Sequence, residues 1–228
     1  VSRELLIIIF TNRTHLCRML KGLILAALAA LIAGHGYMIY PAQRSSLWRY
    51  GIDSPFNYED NELFCGGLTN MWDVNDGKCG ECGDPYQDPR PRANEAGGLY
   101  GNGIIFKEFK AGEVVDVDVT ITTNHRGWFE FKLCPVSSPT ELVTQECLDQ
   151  HPLHVADGVS GTRYWLTDFG KGNFTVPVKL PDDITCDQCV MQWWYQGGNN
   201  WGDCGNGTST LGCGAQETFV NCADIAIH

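Results

Sequence analysis

Basic residues are scarce in this chain, which contains 16 Lys and Arg against 27 Asp and Glu and has a formal net charge of −11. Binding to nucleic acid requires clustered Lys and Arg that neutralise phosphates, so the composition argues against a nucleic acid partner. An uncharged partner such as a polysaccharide is compatible with this charge. The hydrophobic fraction of 43% indicates a globular chain, and 228 residues suit one β-rich domain.

Long apolar runs are also lacking, with one exception near the start of the chain. The run Gly22–Ala33 is too short to cross a bilayer and has the length of a signal-peptide core. Gly34 follows as a small residue before a plausible cleavage point. We therefore expect upstream sequence at 1–18, a signal peptide at 19–34, and secretion of 35–228 as a single domain with no membrane anchor. A retained signal anchor is the alternative.

Cysteine, in contrast, is abundant, with eleven residues, at positions 17, 65, 79, 82, 134, 147, 186, 189, 204, 213 and 222. Cleavage after Gly34 removes Cys17 and leaves ten, an even number that allows five disulfides in an oxidising compartment. Two Cys-x-x-Cys pairs, at 79–82 and 186–189, could also form a four-thiolate zinc site. Their separation along the chain and the secretory context favour disulfides, and we expect each of these cysteines to bond outside its own pair.

Alternation of apolar and polar residues is clear in the second half of the chain. Segments that read as strands occupy 113–121, 127–133, 174–180, 189–196 and 219–227. Residues 35–110 are rich in Gly, Pro, Asn, Asp and Cys, which indicates loops with short helices. The pattern predicts an all-β, disulfide-rich sandwich with a large loop and short-helix insertion. Asn173 and Asn206 each begin an Asn-x-Thr sequon and are predicted glycosylation sites.

His35 becomes the first residue of the mature chain if the signal peptide is removed after Gly34. An N-terminal histidine offers two nitrogen ligands, the α-amine and a ring nitrogen, and nitrogen ligands of this kind suit copper. Metal must compete with the proton of the amine, whose reference pKa is near ~8, so a free amine is required. His125 follows the strand at 113–121 and is the expected source of a third nitrogen. His151 and His154 could bind metal, but we expect them to be surface residues.

Several blocks of the sequence, taken in order, resemble those of the lytic polysaccharide monooxygenases, and of their invertebrate-type chitin- and cellulose-active family in particular. The blocks are His35-Gly-Tyr-Met, Pro41-Ala-Gln-Arg-Ser-Ser-Leu-Trp-Arg49, Phe64-Cys-Gly-Gly67, Cys79-Gly-Glu-Cys-Gly-Asp84, Asn124-His-Arg-Gly127, Gln216-Glu-Thr-Phe219 and Cys222-Ala-Asp-Ile225. The resemblance spans essentially all of 35–228.

This resemblance implies an immunoglobulin-like or fibronectin III-like β-sandwich with one type 2 copper ion on a flat face. In the implied site, often called a histidine brace, His35 and His125 hold the copper and Phe219 lies near the axial position. Thr123 stands where many members have alanine, which would place a hydroxyl near the open copper position. Gln216 or Glu217 would supply a polar group behind the ligands.

The implied reaction is oxidative cleavage of β-1,4-glycosidic bonds in insoluble chitin or cellulose, with chitin favoured. An external reductant and hydrogen peroxide or oxygen act as co-substrates, and oxidation occurs at C1 or C4 of the sugar. Tyr58 and Trp72 are candidate sugar-stacking residues, although burial in the sandwich would explain either. We expect a monomer. Two alternatives use the same fold: a non-catalytic chitin-binding or matrix protein, and a copper carrier.

Overall fold

Eleven β-strands make up most of the regular structure in residues 35–228, the part of the chain that this computed structural model describes. The strands are β1 His35–Tyr40, β2 Lys107–Phe109, β3 Val114–Thr123, β4 Gly127–Pro135, β5 His154–Val155, β6 Arg163–Leu166, β7 Gly172–Lys179, β8 Cys186–Gln196, β9 Trp201–Asp203, β10 Ser209–Leu211 and β11 Thr218–Ile227. Helical segments are short: a 3-10 helix at Arg44–Tyr50, a π-helical turn at Asn70–Val74 and an α-helix, α1, at Gln145–Gln150. The expected signal peptide at 19–34 and Cys17 lie outside the described residues.

Two sheets pack face to face and confirm the predicted all-β sandwich. The first has the strand order β1-β3-β7-β5, and the second has the order β2-β11-β8-β4-β6. A separate two-stranded hairpin, β9–β10, lies between β8 and β11 in the sequence. Strand β3 shows why the sandwich forms, because alternate residues from Val115 to Ile121 are buried in the shared core while those between them face outward. All five predicted segments are strands.

Six of the eleven strands were not predicted, and β1, which begins at His35, is the one among them that carries a predicted ligand. The segment lies in a region expected to be loops with short helices. Met38 is fully buried, and its N–H donates to the side-chain oxygen of Asn221 on β11 at 2.8 Å. The strand is therefore held by pairing with β3 and by a contact with the opposite sheet, neither of which its six residues reveal.

The loop-rich segment between β1 and β2 is tied to the second sheet by covalent and ionic contacts. Disulfide Cys82–Cys222 joins it to β11. Arg44 reaches Asp224 on the same strand with two N–O distances of 2.7 Å, and both side chains are buried. A buried ion pair adds little net stability but fixes geometry, because either charge left alone would be costly. The chain leaving β1 is thus anchored against β11.

The ten cysteines of the described region form five disulfides, as their even number predicted: Cys65–Cys79, Cys82–Cys222, Cys134–Cys147, Cys186–Cys189 and Cys204–Cys213. The expectation that Cys186 and Cys189 bond elsewhere was wrong. The register between β8 and β11 shifts there, so that two residues of β8, Asp187 and Gln188, oppose the single residue Ala226 of β11. This bulge brings the two Cα atoms to 5.8 Å, whereas a regular strand would hold them ~10 Å apart.

Candidate metal centre

The β1–β3 pairing places the two predicted ligand histidines at one end of the first sheet. His35 lies opposite Thr123, the last residue of β3, and His125 follows two residues later. Two further contacts hold the start of β1. The Thr122 hydroxyl donates to the His35 carbonyl at 3.2 Å, and Gly36 N–H donates to the Asn61 carbonyl at 3.1 Å.

A tight turn from β3 to β4 presents His125. Arg126 has a φ of 57° and Gly127 a φ of 84°, and the side-chain oxygen of Asn124 accepts the Arg126 N–H at 2.7 Å. A Cβ on Gly127 would lie 1.9 Å from the Gln196 carbonyl oxygen, so only glycine fits at this position. The Asn-His-Arg-Gly block therefore forms a tight turn, and it also contains one of the predicted metal ligands.

The backbone of His125 is held on both sides by the second sheet and the segment after it. Its N–H donates to the Tyr195 hydroxyl of β8 at 2.8 Å, and its carbonyl accepts the Gly198 N–H at 2.8 Å. Tyr195 is fully buried, and its ring stacks on that of Phe219 with centroids 5.6 Å apart. Burial raises the pKa of Tyr195, the His125 N–H partly offsets this, and the charge of Glu217 raises it further, so the hydroxyl is neutral.

Each histidine ring has a carboxylate beside one of its two nitrogens. Glu62 Oε1 lies 3.0 Å from His35 Nε2, and Glu217 Oε2 lies 2.8 Å from His125 Nδ1. A carboxylate near one ring nitrogen favours the proton there and leaves the other nitrogen as a lone-pair donor. For His35 that donor is Nδ1, the ring nitrogen that can close a chelate ring with the α-amine of the same residue.

The donors present fit a copper ion. His125 is buried, and its Nε2 has no hydrogen-bond partner among the described residues, which is costly unless the atom binds a ligand. Its Nδ1, although close to Glu217, is not aligned as a hydrogen bond. Imidazole and amine nitrogens are ligands that suit copper. No group of three His, Cys, Asp or Glu side chains able to hold a metal occurs between residues 35 and 228. The proposed set needs only two side chains, since its third donor is the main-chain amine.

Gln216 and Glu217, the two candidates for the polar group behind the ligands, have different contacts in the structure. Glu217 contacts the His125 ring, whereas Gln216 is buried and bonds to Asn200 and the Cys213 carbonyl, so it holds the β9–β10 hairpin. Trp72 is partly buried and donates its indole N–H to the Gln216 carbonyl at 2.9 Å. A sugar-stacking role for Trp72 stays a prediction.

Tyr58 lies in the loop that carries Glu62. It is 77% exposed and stacks parallel to Phe56, and both rings pack against Trp48. Thr123 is half-buried opposite His35, and Phe219 lies one ring below the His125 backbone. Of the predicted residues, Thr123 thus pairs with His35 and Glu217 contacts His125, while Phe219 is linked to His125 only through Tyr195.

Sequence reasoning missed two residues of this site. Glu62 contacts His35, and Tyr195 holds the His125 backbone. Glu62 lies in a polar loop with no periodicity, and Tyr195 reads as an ordinary inward residue of a strand, so neither carries a local signal. The two histidines considered as alternative ligands belong to other elements. His151 is the C-terminal cap of α1, where its N–H donates to the Leu148 carbonyl, and His154 is exposed on β5. The Cys-x-x-Cys pairs form disulfides, which excludes the four-thiolate zinc site.

One protein family and two solved structures resemble this chain. Residues 35–225 match the family described as "Lytic polysaccharide mono-oxygenase, cellulose-degrading". The solved structure of lytic polysaccharide monooxygenase AA15 from Thermobia domestica in the Cu(I) state is 51% identical, with a TM-score of 0.83 over 85% of this chain and 98% of that one. LPMO10B from Micromonospora aurantiaca is 11% identical, with a TM-score of 0.45 over 84% and 99% of the two chains. Among curated proteins no match is found.

Proposed function

This chain belongs to the lytic polysaccharide monooxygenases, a family of copper-dependent oxidoreductases, and from that membership we propose that it oxidatively cleaves β-1,4-glycosidic bonds of insoluble chitin. Cellulose is the second candidate substrate. The preference for chitin rests on the association of invertebrate members with cuticle and diet. The description of the matched family names cellulose degradation, so both polymers belong in any test.

The proposed metal ligands are the His35 amine, His35 Nδ1 and His125 Nε2, in a secreted, monomeric protein whose signal peptide ends at Gly34. The observation that carries this assignment is the pairing of each ring with a carboxylate on its other nitrogen. Until Gly34 is removed, the amine is part of a peptide bond and cannot donate a lone pair. The unprocessed chain is thus proposed to be an inactive precursor.

The protein's own residues orient and tune the site. Glu62 and Glu217 lie beside the ring nitrogens that are proposed not to bind the metal and favour the proton there, while Tyr195 and the β3–β4 turn fix the His125 backbone. Copper, when bound, supplies the redox chemistry with hydrogen peroxide, or with oxygen and an external reductant, that oxidises the sugar at C1 or C4. Phe219, which is fully buried and stacks on Tyr195, is proposed to lie near the copper as an apolar ring that offers no further ligand.

The polysaccharide is proposed to lie across the surface next to His35. Tyr58 is the best placed of the predicted stacking residues, because it is exposed and its loop reaches His35 through Glu62. The hydroxyl of Thr123, half-buried opposite His35, is proposed to border the open copper position and so to influence access of the co-substrate.

The proposal is tested by incubating copper-loaded mature protein with chitin and, separately, cellulose, with a reductant and hydrogen peroxide. Mass spectrometry of the soluble products should reveal oxidised oligosaccharides. His35→Ala should abolish them, whereas His154→Ala, which removes an exposed histidine of β5, should not. Wild-type protein that yields no oxidised product on either polymer would refute the function. Mass spectrometry of the secreted N-terminus is a separate check, since a first residue other than His35 removes the amine ligand.

A further inference from the structure

A groove of about 410 Å³ opens beside the turn that carries His125. One wall is the β4–β6 strand pair, and the other is the end of the β9–β10 hairpin. Its lining includes Arg126, Trp128, Trp165 and Leu211. The groove has the size typical of small-molecule sites, which run from ~300 to ~1,000 Å³ and are lined by apolar groups with a few polar ones.

Strand register explains why two tryptophans face this groove. Trp128 on β4 pairs directly with Trp165 on β6, so their side chains are on the same face of the sheet. Phe129, the next residue along β4, points into the core, which leaves both tryptophans on the outer face. Trp165 and Leu211 are each 57% exposed. Large apolar side chains exposed together in this way mark an interaction surface.

Two arginines stand beside this apolar floor, each stacked on a ring. The Arg163 guanidinium lies over Trp128 at 4.1 Å from the ring centroid, and that of Arg126 lies over Phe169 at 4.0 Å. Arg126 lines the groove and carries five N–H donors, whereas Arg163 covers one face of Trp128 and lies 3.6 Å from Glu130. The groove therefore combines the exposed indole of Trp165 with an arginine at its edge.

The groove borders the turn that carries His125. Arg126 directly follows His125, and Gly198, another lining residue, donates its N–H to the His125 carbonyl at 2.8 Å. A ligand in the groove would thus lie against the same turn that presents the metal ligand. A molecule that spans both would contact the copper site and the tryptophan floor together.

From this geometry we propose that the groove is a sugar-binding subsite for an uncharged, β-1,4-linked glycan chain that extends from the copper site. A pyranose ring presents C–H groups on its faces, which pack on indole, and hydroxyls around its rim, which accept hydrogen bonds from guanidinium edges. Trp165 supplies the stacking face. This inference rests on the proposed function, because it takes its ligand to be the polysaccharide that the copper site cleaves.

The test compares copper-loaded mature wild type with Trp165→Ala, Trp165→Phe and the control Leu99→Ala. Leu99 is a large apolar side chain of similar exposure, 60%, that is not among the lining residues. Chitohexaose and cellohexaose are titrated into each protein by calorimetry. We expect Trp165→Ala to raise the Kd for the bound hexasaccharide by roughly three- to tenfold, Trp165→Phe to raise it less, and Leu99→Ala to match wild type.

Copper affinity and thermal denaturation are measured for all four proteins, and both should be unchanged in Trp165→Ala. Equal hexasaccharide affinity in wild type and Trp165→Ala overturns the subsite, as does wild type that binds neither hexasaccharide. The subsite is also overturned if wild type binds no glycan but dimerises in a concentration-dependent manner, and Trp165→Ala does not dimerise. In each case oxidised products from wild type on chitin or cellulose would still support the proposed function. Absence of those products, with Trp165-dependent hexasaccharide binding, would instead refute cleavage alone.

Discussion

Tyr195→Phe tests how far the core of the sandwich controls the metal centre. The substitution removes one oxygen and keeps a ring that packs on Phe129 at 5.0 Å and on Phe219 at 5.6 Å. What is lost is the acceptor for the His125 N–H, 2.8 Å away and buried. A buried donor left without a partner costs about 1–3 kcal/mol of unfolding free energy. For a domain of this size that lowers the Tm by roughly 2–12 °C.

The assay is thermal denaturation of metal-free mature protein, followed by circular dichroism, with copper affinity measured by chelator competition. Because the freed His125 backbone holds its ring less firmly, the affinity should fall by up to about tenfold. Tyr164→Phe is the matched control, since its ring also stacks on Phe129 but forms no part of the His125 contact. A Tyr195→Phe variant with the Tm and copper affinity of that control would refute the proposed link between core and ligand.

Three further predictions follow from the same contacts. Glu62→Ala should weaken copper binding by roughly 10- to 100-fold in a competition assay, because His35 loses its orienting carboxylate, and the exposed neighbour Glu59→Ala should not. Free copper at about 100 times its Kd should stabilise mature protein by ~2.7 kcal/mol in denaturant titrations, and a chelator or His35→Ala should remove this gain. Burial raises the pKa of Asp84, although hydrogen bonds from Asn94 partly oppose this. Ionisation of Asp84 therefore favours the unfolded chain, and its contribution to the stability of wild type is lost as pH rises. The Tm of Asp84→Asn relative to wild type should therefore increase as the pH rises above about 4, near the reference pKa of an aspartic acid, and a difference that stays constant would contradict the assigned shift.

The longer strands of the sandwich were predictable because their apolar patterns are local. Val115 to Ile121 alternate on β3 and Phe129 to Leu133 on β4, while β8 and β11 are mostly or entirely buried and read as apolar segments, so each predicted segment coincides with a strand. Strand β1 was missed because its six residues carry too little alternation, and its pairing with β3 and its bond to Asn221 come from distant parts of the chain. The Cys186–Cys189 bond was missed for a related reason, since a bulge against β11 creates it.

By itself the sequence determined the period of the strands, the even cysteine count after Gly34, and the two histidines whose nitrogens suit copper. These features are local, or are properties of composition, so no knowledge of the fold is needed to see them. Only the tertiary structure decided that Glu217 and not Gln216 contacts His125, that Glu62 reaches His35, and that Tyr195 holds the ligand backbone. Such contacts join residues far apart in the chain, and they exist because the packing of two sheets and a disulfide-tied loop brings those residues together.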